Sequence, residues 1–199
     1  MIFLKYIAHR GIHTNKQNEN TYAAFKDIEQ SNFVGFEADI RVTKDNVFVI
    51  YHDPFYKGKL VKNLYYKEMN VLTLRELLQI KTSKIVLLEI KDFNINVNKL
   101  LKLLNKSSLN IYLMSFDKRI IEKLYNTHSK YKLGILNYVI NSEENYKYDF
   151  ICLLNSIITS NIIDYFSKRK IKIIGYGIVN VKNIHYQNLT YIIDNDKLN

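Results

Sequence analysis

A chain of 199 residues with 47% apolar and 24% charged side chains has the size and composition of one globular domain with a full core. Its single cysteine, Cys152, excludes an internal disulfide, and the absence of cysteine clusters excludes a structural zinc site; we expect a buried, inert thiol in a reducing compartment. No apolar run reaches the length of a membrane span, and His9 and Arg10 end the apolar N-terminal run, so we predict a cytoplasmic protein without a secretory signal.

The net charge of +10 leaves several kinds of ligand open. Excess positive charge is compatible with binding to nucleic acid, to an anionic membrane surface or to a phosphate-bearing substrate. The lysines are scattered along the chain rather than gathered in blocks, and no nucleic-acid-binding motif is recognisable, so we expect no nucleic acid partner. A solvated, lysine-rich surface without a specific ligand is the alternative, and peripheral membrane contact stays open.

Eight apolar runs along the chain are typical of strands. They cover residues 2–8, 34–42, 84–90, 110–114, 132–136, 149–153, 171–176 and 191–194. A turn at Lys44, Asp45 and Asn46 separates the second strand from a further extended segment at 47–51. Residues 54–70 have no apolar period and are predicted to be a loop.

Apolar residues at helical spacing lie between most of these strands. Asn20 or Thr21 can cap a first helix that runs to about Gln30, and a capping-box pattern at Thr73 begins the second. Asp117 can cap a later helix in the same way. The helices predicted in the rest of the chain cover residues 97–104, 117–124, 142–147, 158–166 and 181–186.

This alternation of strands and helices predicts the fold. Strands joined through helices pair in parallel with right-handed crossovers, and eight such units are typical of a closed (β/α)₈ TIM barrel. Such barrels commonly have about 250 residues, so this α/β barrel would be a minimal one that occupies the whole chain, 1–199, as a single domain. An open, doubly wound sheet is the alternative, but the glycine-rich phosphate loop typical of it is absent from the sequence.

Charged side chains interrupt or follow four of the apolar runs, where an unpaired charge is rarely buried. They are His9, Arg10, Glu37, Asp39, His52, Glu89 and Lys91. Because side chains alternate along a strand, Glu37 and Asp39 face the same way, as do Glu89 and Lys91. Barrels of this kind carry their chemistry at the carboxyl ends of the strands, so we predict that these residues converge there.

Three converging carboxylates repel one another unless a cation neutralises them, and oxygen ligands favour Mg²⁺ or Ca²⁺ over zinc. Positive side chains beside such an ion suit a phosphate, and two histidines could transfer protons on either side of it. Each motif alone also fits a simpler structure. The Glu37–Asp39 pair could be a salt-bridged strand edge, and His52-Asp53-Pro54 could be a surface turn. Their joint order and their positions at strand ends favour the functional interpretation.

In the order of these motifs the sequence resembles the glycerophosphodiester phosphodiesterase family. The matching segments are His9-Arg10-Gly11, Glu19-Asn20-Thr21, Glu37 with Asp39, His52-Asp53, Thr73-Leu74, and Glu89 with Lys91. Fainter matches follow at Ser115-Phe116, Val179-Asn180 and Asp194. The resemblance runs the length of the chain, dense over residues 7–91 and thin after residue 117.

The resemblance implies a (β/α)₈ barrel that uses a divalent cation, Mg²⁺ or Ca²⁺, to hydrolyse a glycerophosphodiester to glycerol phosphate and an alcohol. It also implies that a neighbouring substrate hydroxyl attacks phosphorus first, through a cyclic phosphate. It assigns the cation to Glu37, Asp39 and Glu89, the phosphate to Arg10 and Lys91, and acid–base catalysis to His9 and His52.

The sequence departs from the family on the substrate side. Asn18 replaces the proline that commonly precedes the second motif, and the tryptophan common after the seventh strand is absent, with Tyr176 nearby. We therefore expect Ser115 and Tyr176 to line the substrate pocket. Residues 54–88 are too few for the inserted subdomain of many members, which implies an open mouth suited to a bulky or polymer-linked diester.

Two other functions stay open. A lysophospholipase D or sphingomyelinase D-like activity on lipid phosphodiesters would be favoured by an apolar rim, and residues 54–66 contain several apolar side chains among lysines. The second alternative is a non-catalytic protein that binds a phosphate ligand or nucleic acid. Binding alone would need no set of two histidines and three acids, so the hydrolase is the preferred prediction.

Overall fold

The structure, a computed structural model, describes residues 4–13, 18–141 and 144–194. The apolar runs of the sequence form its strands. Such runs suit a parallel sheet that is covered on both faces, because side chains on either face are buried. The strands are β1 (Lys5–Ala8), β2 (Gly35–Val42), β3 (Phe48–Ile50), β4 (Phe55–Tyr56), β5 (Lys59–Leu60), β6 (Ile85–Ile90), β7 (Asn110–Ser115), β8 (Lys132–Asn137), β9 (Phe150–Leu154), β10 (Lys172–Tyr176) and β11 (Thr190–Ile193). The α-helices are α1 (Tyr22–Lys26), α2 (Leu74–Leu77), α3 (Val97–Leu104), α4 (Lys118–Asn126) and α5 (Ser160–Lys168).

Eight of these strands run parallel and close into a barrel in the order β1, β2, β6, β7, β8, β9, β10 and β11. The first strand closes it, because Ile7 pairs with Gly35 of β2 on one side and with Ile192 of β11 on the other. The predicted (β/α)₈ barrel is therefore confirmed, and the open sheet is excluded. The segment after the turn, β3, pairs antiparallel with the carboxyl end of β2.

Alternate residues of the barrel strands fill the interior. One apolar cluster takes residues from every barrel strand except β2, and consists of Ile7, Leu87, Met114, Leu136, Phe150, Cys152, Ile174 and Ile192. Full burial of such a side chain contributes about 1.5–3 kcal/mol relative to exposure, so the lower barrel is a stable support for whatever lies above it. The thiol of Cys152 is buried as predicted, and burial raises its pKa well above the usual range.

The helices pack their apolar faces on the outside of the barrel. Helix α3 buries Val97, Leu100 and Leu104, and the side chain of Asn96 caps its first turn. The caps predicted at Thr21, Thr73 and Asp117 are confirmed, and Thr73 forms the full capping box with Glu76. Among the described residues, no helix is long and apolar enough to cross a membrane.

Two helix predictions were wrong. Residues 144–147 of the predicted helix 142–147 are not helical, and residues 142–143 lie outside the described residues. Tyr146 and Tyr148 are both buried although they are two positions apart, a spacing that a helix would place on different faces. The prediction over 181–186 reduces to one 3₁₀ turn, Val181–Asn183, which the side chain of Asn180 caps.

Smaller differences lie in the first third of the chain. Helix α1 ends at Lys26, and a 3₁₀ turn, Ile28–Gln30, takes the place of its last turn. The predicted loop 54–70 contains the two-stranded hairpin of β4 and β5 and two 3₁₀ turns. The first strand was predicted from residue 2; it begins at Lys5, and residues 2–3 lie outside the described part.

Candidate active site

Three carboxylates converge at the carboxyl-terminal end of the barrel, on β2 and its neighbour β6. Parallel pairing sets Asp39 beside Glu89 and leaves Glu37 one layer deeper, beside Leu87. One carboxylate oxygen of each acid lies within 4.8 Å of the others, and the three residues are only 1–6% exposed. Across the described ranges, no other group of three or more acidic, cysteine or histidine side chains meets this distance.

Two positively charged side chains, Lys91 and Arg10, lie against these carboxylates. The ammonium group of Lys91 lies 2.6 Å from Glu89 Oε1 and 3.1 Å from Asp39 Oδ1. The guanidinium of Arg10 binds Glu19 Oε1 at 2.8 Å through Nη1, and its Nε lies 3.3 Å from Asp39 Oδ2. This Nε is buried and forms no hydrogen bond with any part of the chain that the structure describes.

The turn after β1 aims Arg10 at the cluster. Arg10 and Gly11 both have left-handed backbone conformations, with φ of 53° and 88°. A side chain on Gly11 would also collide with Ala24, whose Cβ lies 2.7 Å from the position of the added carbon. The turn lets the Arg10 amide donate a 3.1 Å hydrogen bond to Glu37 Oε2. A non-glycine residue held in this conformation is typical of functional sites, where the surrounding contacts offset the strain.

The three carboxylates of the cluster differ in the direction of their pKa shifts. Burial and the neighbouring charges of Asp39 and Glu89 raise the pKa of Glu37 well above its usual range. Burial also acts to raise the pKa of Asp39, but the charges of Lys91 and Arg10 outweigh it, so the pKa of Asp39 is lowered. The pKa of Glu89 is raised, chiefly by burial. Of the three acids, Glu37 has the pKa that is raised most strongly.

The donor set fits a hard divalent cation. Glu37 Oε1 is buried and has no hydrogen-bond partner among the described residues, which is costly unless something binds it. Among the described residues, four carboxylates, counting Glu19, form ion pairs with the side chains of Arg10 and Lys91, so a divalent ion would balance the charge. All the candidate ligand atoms are oxygens, the type that Mg²⁺ and Ca²⁺ prefer.

His9 follows β1 and is oriented from the opposite end of the chain. Its Nδ1 lies 2.6 Å from Asp194 Oδ1, just after β11, while its Nε2 lies 4.0 Å from Glu37 Oε2. The hydrogen bond from His9 lowers the pKa of Asp194, which keeps that carboxylate ionised. Because an ionised carboxylate can only accept, Nδ1 carries the proton and Nε2 faces the cluster.

His52 has an equivalent arrangement on the other side. Its Nδ1 lies 2.8 Å from Asp53 Oδ1, and its backbone carbonyl accepts a 2.8 Å hydrogen bond from Arg41 Nε. Arg41 is in turn fixed by a 2.8 Å ion pair with Asp92. Burial lowers the pKa of His52, although the charge of Asp39 opposes the shift. His52 lies on the wall of a cleft of about 660 Å³ that also includes Glu19 and Asp53.

The two residues expected in the substrate pocket have different surroundings. Ser115 is buried, and its hydroxyl donates to the Ile90 carbonyl at 2.6 Å and accepts from the Asp117 amide at 3.1 Å. Those contacts join the ends of β6 and β7. That Ser115 lines the substrate pocket stays a prediction. Tyr176 stands at the end of β10, where burial, with a smaller effect of Glu89, raises its pKa.

Tyr176 belongs to an aromatic wall at the barrel mouth, formed with Phe116 and Tyr138. The ring centroids of Phe116 and Tyr138 are 4.8 Å apart and nearly parallel, and Tyr176 meets Phe116 edge-on at 6.1 Å. The Tyr176 hydroxyl donates a 3.3 Å hydrogen bond to the carbonyl of Asn137. Tyr138 is 60% exposed, so the wall presents an apolar surface beside the carboxylate cluster.

Motif spacing assigns no role to three residues that the structure brings into the site. Asn20 binds Asp39 through its side chain, Glu19 pairs with Arg10, and Asp194 pairs with His9. The first two lie in the Glu19-Asn20-Thr21 segment, and Asp194 ends the last strand run, so all three belong to matched motifs. The residues with which they pair can be identified only once the barrel is closed, because closure brings distant parts of the chain together.

The chain is similar in sequence and fold to known proteins. A sequence model of the glycerophosphoryl diester phosphodiesterase family matches residues 9–188. An Oleispira antarctica phosphodiesterase, solved in complex with the product sn-glycerol-3-phosphate, shares 17% identity at a TM-score of 0.85, over 98% of this chain and 94% of that chain. No curated protein matches the chain in sequence.

Two further solved structures have the same fold. A glycerophosphodiester phosphodiesterase from Parabacteroides distasonis shares 16% identity at a TM-score of 0.83, over 98% of this chain and 93% of that chain. Another from Thermotoga maritima shares 20% identity at a TM-score of 0.76, over 96% and 94% of the two chains. The TM-scores show that these chains share the barrel fold.

Proposed function

Because this chain belongs to the glycerophosphoryl diester phosphodiesterase family, we propose that it hydrolyses glycerophosphodiesters to glycerol phosphate and an alcohol with the help of a divalent cation, Mg²⁺ or Ca²⁺. The carboxylate cluster of Glu37, Asp39 and Glu89 is the observation that carries this proposal. Buried carboxylates so close together, one with an oxygen that has no hydrogen-bond partner in the described part of the chain, are costly to fold without an ion to hold.

The three carboxylates would hold the cation, which when bound offsets negative charge on the phosphoryl oxygens. Arg10 and Lys91 supply further positive charge at the same place. The third N–H of the Lys91 ammonium group can donate a hydrogen bond to a phosphate oxygen, whereas Arg10 Nε is buried against Asp39 and contributes its charge. Electrostatic stabilisation of this kind is commonly a large part of phosphoryl-transfer catalysis.

His9 and His52 would act as the acid and the base. One removes the proton from the attacking hydroxyl, either of the substrate glycerol or of water, and the other delivers a proton to the oxygen of the leaving alcohol. Each has its Nδ1 held by a carboxylate, Asp194 or Asp53, which leaves Nε2 to exchange protons with the substrate. The lowered pKa of His52 favours its neutral form near pH 7, which suits a base.

A second candidate is hydrolysis of a lipid phosphodiester, such as a lysophospholipid or sphingolipid. The aromatic wall favours it, because Phe116 and Tyr138 present exposed rings at the barrel mouth and Val139 beside them is 72% exposed. Apolar surface of this kind could accept the apolar part of a lipid substrate or touch a membrane surface.

One assay separates these functions. Metal-stripped protein is given Mg²⁺ or Ca²⁺ and then glycerophosphocholine, glycerophosphoethanolamine, a lysophospholipid or an aryl phosphodiester, and the released alcohol is measured. We expect turnover of a glycerophosphodiester that requires the added ion. Turnover of the lysophospholipid alone would favour the lipid enzyme. No turnover of any diester, with retained phosphate binding, would leave the non-catalytic alternative.

A further inference from the structure

A groove on the flank of the barrel lies outside the carboxylate cluster. It has a volume of about 520 Å³ and lies between the β2–β3 turn, the start of α2 and the exposed side of α3. This volume is within the range of small-molecule sites, roughly 300–1,000 Å³. Asn46, Phe48, Tyr66 and Leu103 form part of its lining.

The groove is strongly basic. Lys99 and Lys102 lie three residues apart on α3, and Lys106 follows two residues after the helix ends; these three lysines form a basic stripe along the groove, and Arg75 lies on the wall formed by α2. The ammonium group of Lys99 donates a 2.7 Å hydrogen bond to the carbonyl of Asn46. Lys99 and Lys102 are about 4.5 Å apart along the axis of α3, and Lys106 continues the positive charge past the end of the helix.

No protein carboxylate forms an ion pair with these four side chains within the described part of the chain. The groove contains one acid, Glu76, and its carboxylate already accepts hydrogen bonds from the amide and hydroxyl of Thr73. Nearby Asp45 is occupied by the Thr43 hydroxyl and the Tyr66 amide. The charge of the stripe is therefore left for a ligand.

The chemistry of the lining identifies the class of ligand. Several cations in a row suit a chain of phosphates better than a single anion. The ring of Phe48 is only 5% exposed and carries the Lys99 ammonium group at 5.9 Å, so it offers no open face on which a nucleobase could stack. A phosphate chain without bases fits the groove better than single-stranded nucleic acid.

We propose that this groove binds a polyanionic phosphate chain. The groove adjoins the His52 cleft, since Tyr66 and Glu76 line both. A polymer-linked glycerophosphodiester could therefore lie with one diester at the carboxylate cluster and its next phosphates along α3; this extension rests on the proposed function, whereas binding in the groove does not. Positive charge on the barrel flank would then select long anionic substrates over small ones.

Binding is tested with inorganic tripolyphosphate and metal-free protein by titration calorimetry. The variant Lys102→Gln/Lys106→Gln removes two groove charges from side chains that form no ion pair with the described residues. Its control, Lys123→Gln/Lys168→Gln, removes two exposed charges from the last turns of α4 and α5. We expect the groove variant to bind about tenfold more weakly, as for two lost exposed ion pairs, and the control to bind like the unmodified protein.

Two results of this titration would overturn the proposal. Equal affinity of the groove variant and the control would mean that no site exists at the groove. Tighter binding of a single-stranded oligonucleotide than of tripolyphosphate, lost in the groove variant, would assign the groove to nucleic acid instead.

Kinetics test the extension separately. For a glycerophosphate oligomer, the groove variant should raise KM with little change in kcat, and for glycerophosphocholine kcat/KM should stay within about twofold. If no diester is hydrolysed by any form of the protein while the groove variant still loses tripolyphosphate, the proposed function fails and the groove site stands. If both substrates respond equally to the groove variant, the extension is wrong.

Discussion

The side chain of Asn20 holds Asp39 at two points. Asn20 Nδ2 donates a 2.8 Å hydrogen bond to Asp39 Oδ2, and Asn20 Oδ1 accepts a 3.2 Å hydrogen bond from the amide of Asp39. Both residues are buried, and the backbone N–H of Asn20 donates a 2.9 Å hydrogen bond to the backbone carbonyl of Arg10. Asn20 therefore fixes one cation-facing carboxylate and the turn that carries Arg10 at the same time.

Replacing Asn20 tests its role as a positioning residue. We expect Asn20→Ala to weaken Mg²⁺ or Ca²⁺ binding about tenfold or more, as for other residues that orient metal ligands. It should also lower the free energy of unfolding by about 1–3 kcal/mol, because it leaves Asp39 groups unpaired. The backbone of Asn20 is left-handed, with φ of 55°, a conformation that aspartate also tolerates. Asn20→Asp adds a negative charge beside Asp39, and calorimetry should show a different dependence of ion binding on pH. Unchanged ion affinity in Asn20→Ala, with Asn161→Ala as the exposed control, would contradict this role.

The three carboxylates should be needed for the ion as well as for activity. We expect Glu37→Gln, Asp39→Asn and Glu89→Gln each to lose most of the activity and to bind Mg²⁺ or Ca²⁺ more weakly, since each removes a charged oxygen from the cluster. Ion binding is measured by calorimetry, and chelator should lower the melting temperature of the unmodified protein, because a bound ion stabilises the folded state. The exposed acid Asp164 supplies the control Asp164→Asn. Three variants that bind the ion like the control would show that the cation site is misassigned.

The two histidines should matter for the chemical step and not for the fold. His9→Ala and His52→Ala should each lower kcat by about 10²–10⁴, the usual contribution of a general acid or base. Circular dichroism and ion titration should match the unmodified protein, because neither imidazole is among the predicted cation ligands. The exposed His185 supplies the control His185→Ala, which should change kcat by less than about threefold. Near-full activity of His9→Ala would end the proposed acid–base mechanism.

Local patterns were sufficient to predict the barrel and the core of the candidate site. Alternation along β2 and β6 puts Glu37, Asp39 and Glu89 on inward faces, and parallel pairing then brings them together at one end. The inward orientation and the convergence both follow from strand geometry, and the apolar runs are sufficient to predict the strands.

Contacts between distant parts of the chain could not be predicted in this way. The pairing of His9 with Asp194 spans 185 positions and requires the barrel to close through β1 and β11. The wrong helix at 142–147 has a similar cause, because the buried positions of Tyr146 and Tyr148 are set by packing rather than by local period. The flank groove depends on how α2 and α3 pack, which no local pattern encodes.

Tyr148 links burial to stability at alkaline pH. Its hydroxyl is buried with no hydrogen-bond partner among the described residues, and burial raises its pKa from 10.0 to about 12. Between these pH values the unfolded chain has lost the proton and the folded chain still holds it. Ionisation therefore stabilises the unfolded state, and the free energy of unfolding falls as pH rises from about 10 to about 12.

Removing the Tyr148 hydroxyl should remove its contribution to the fall in the free energy of unfolding at alkaline pH. We expect Tyr148→Phe to gain about 1 kcal/mol in the free energy of unfolding at pH 8, because an unpaired buried polar group disappears. Its free energy of unfolding should then decline less steeply than that of the unmodified protein above pH 10. Denaturant titrations at several pH values measure both, with Tyr22→Phe as the control on a ring that is 51% exposed. Parallel pH profiles for the two variants would contradict the argument.

The net charge of +10 leads to a last prediction, on salt. If the excess lysine draws anionic substrates to the barrel, kcat/KM should fall as salt rises through about 0.05–0.5 M, because the Debye length shrinks from more than ten to a few ångströms. The chemical step beside the carboxylate cluster is buried, so kcat should change little. Glycerophosphocholine carries no net charge and should respond weakly, whereas a glycerophosphate oligomer or anionic vesicles should respond strongly.

Variants of the flank groove locate the source of the effect. The basic stripe of α3 should account for much of the salt response, so Lys102→Gln/Lys106→Gln should flatten it for the oligomer and leave it unchanged for glycerophosphocholine. Lys123→Gln/Lys168→Gln, with the same loss of net charge, should flatten it much less, because charges on α4 and α5 lie outside the groove lining. Equal flattening by both variants would mean that overall charge, rather than the groove, attracts the substrate. A salt response absent for every substrate would mean that the lysines only solvate the surface.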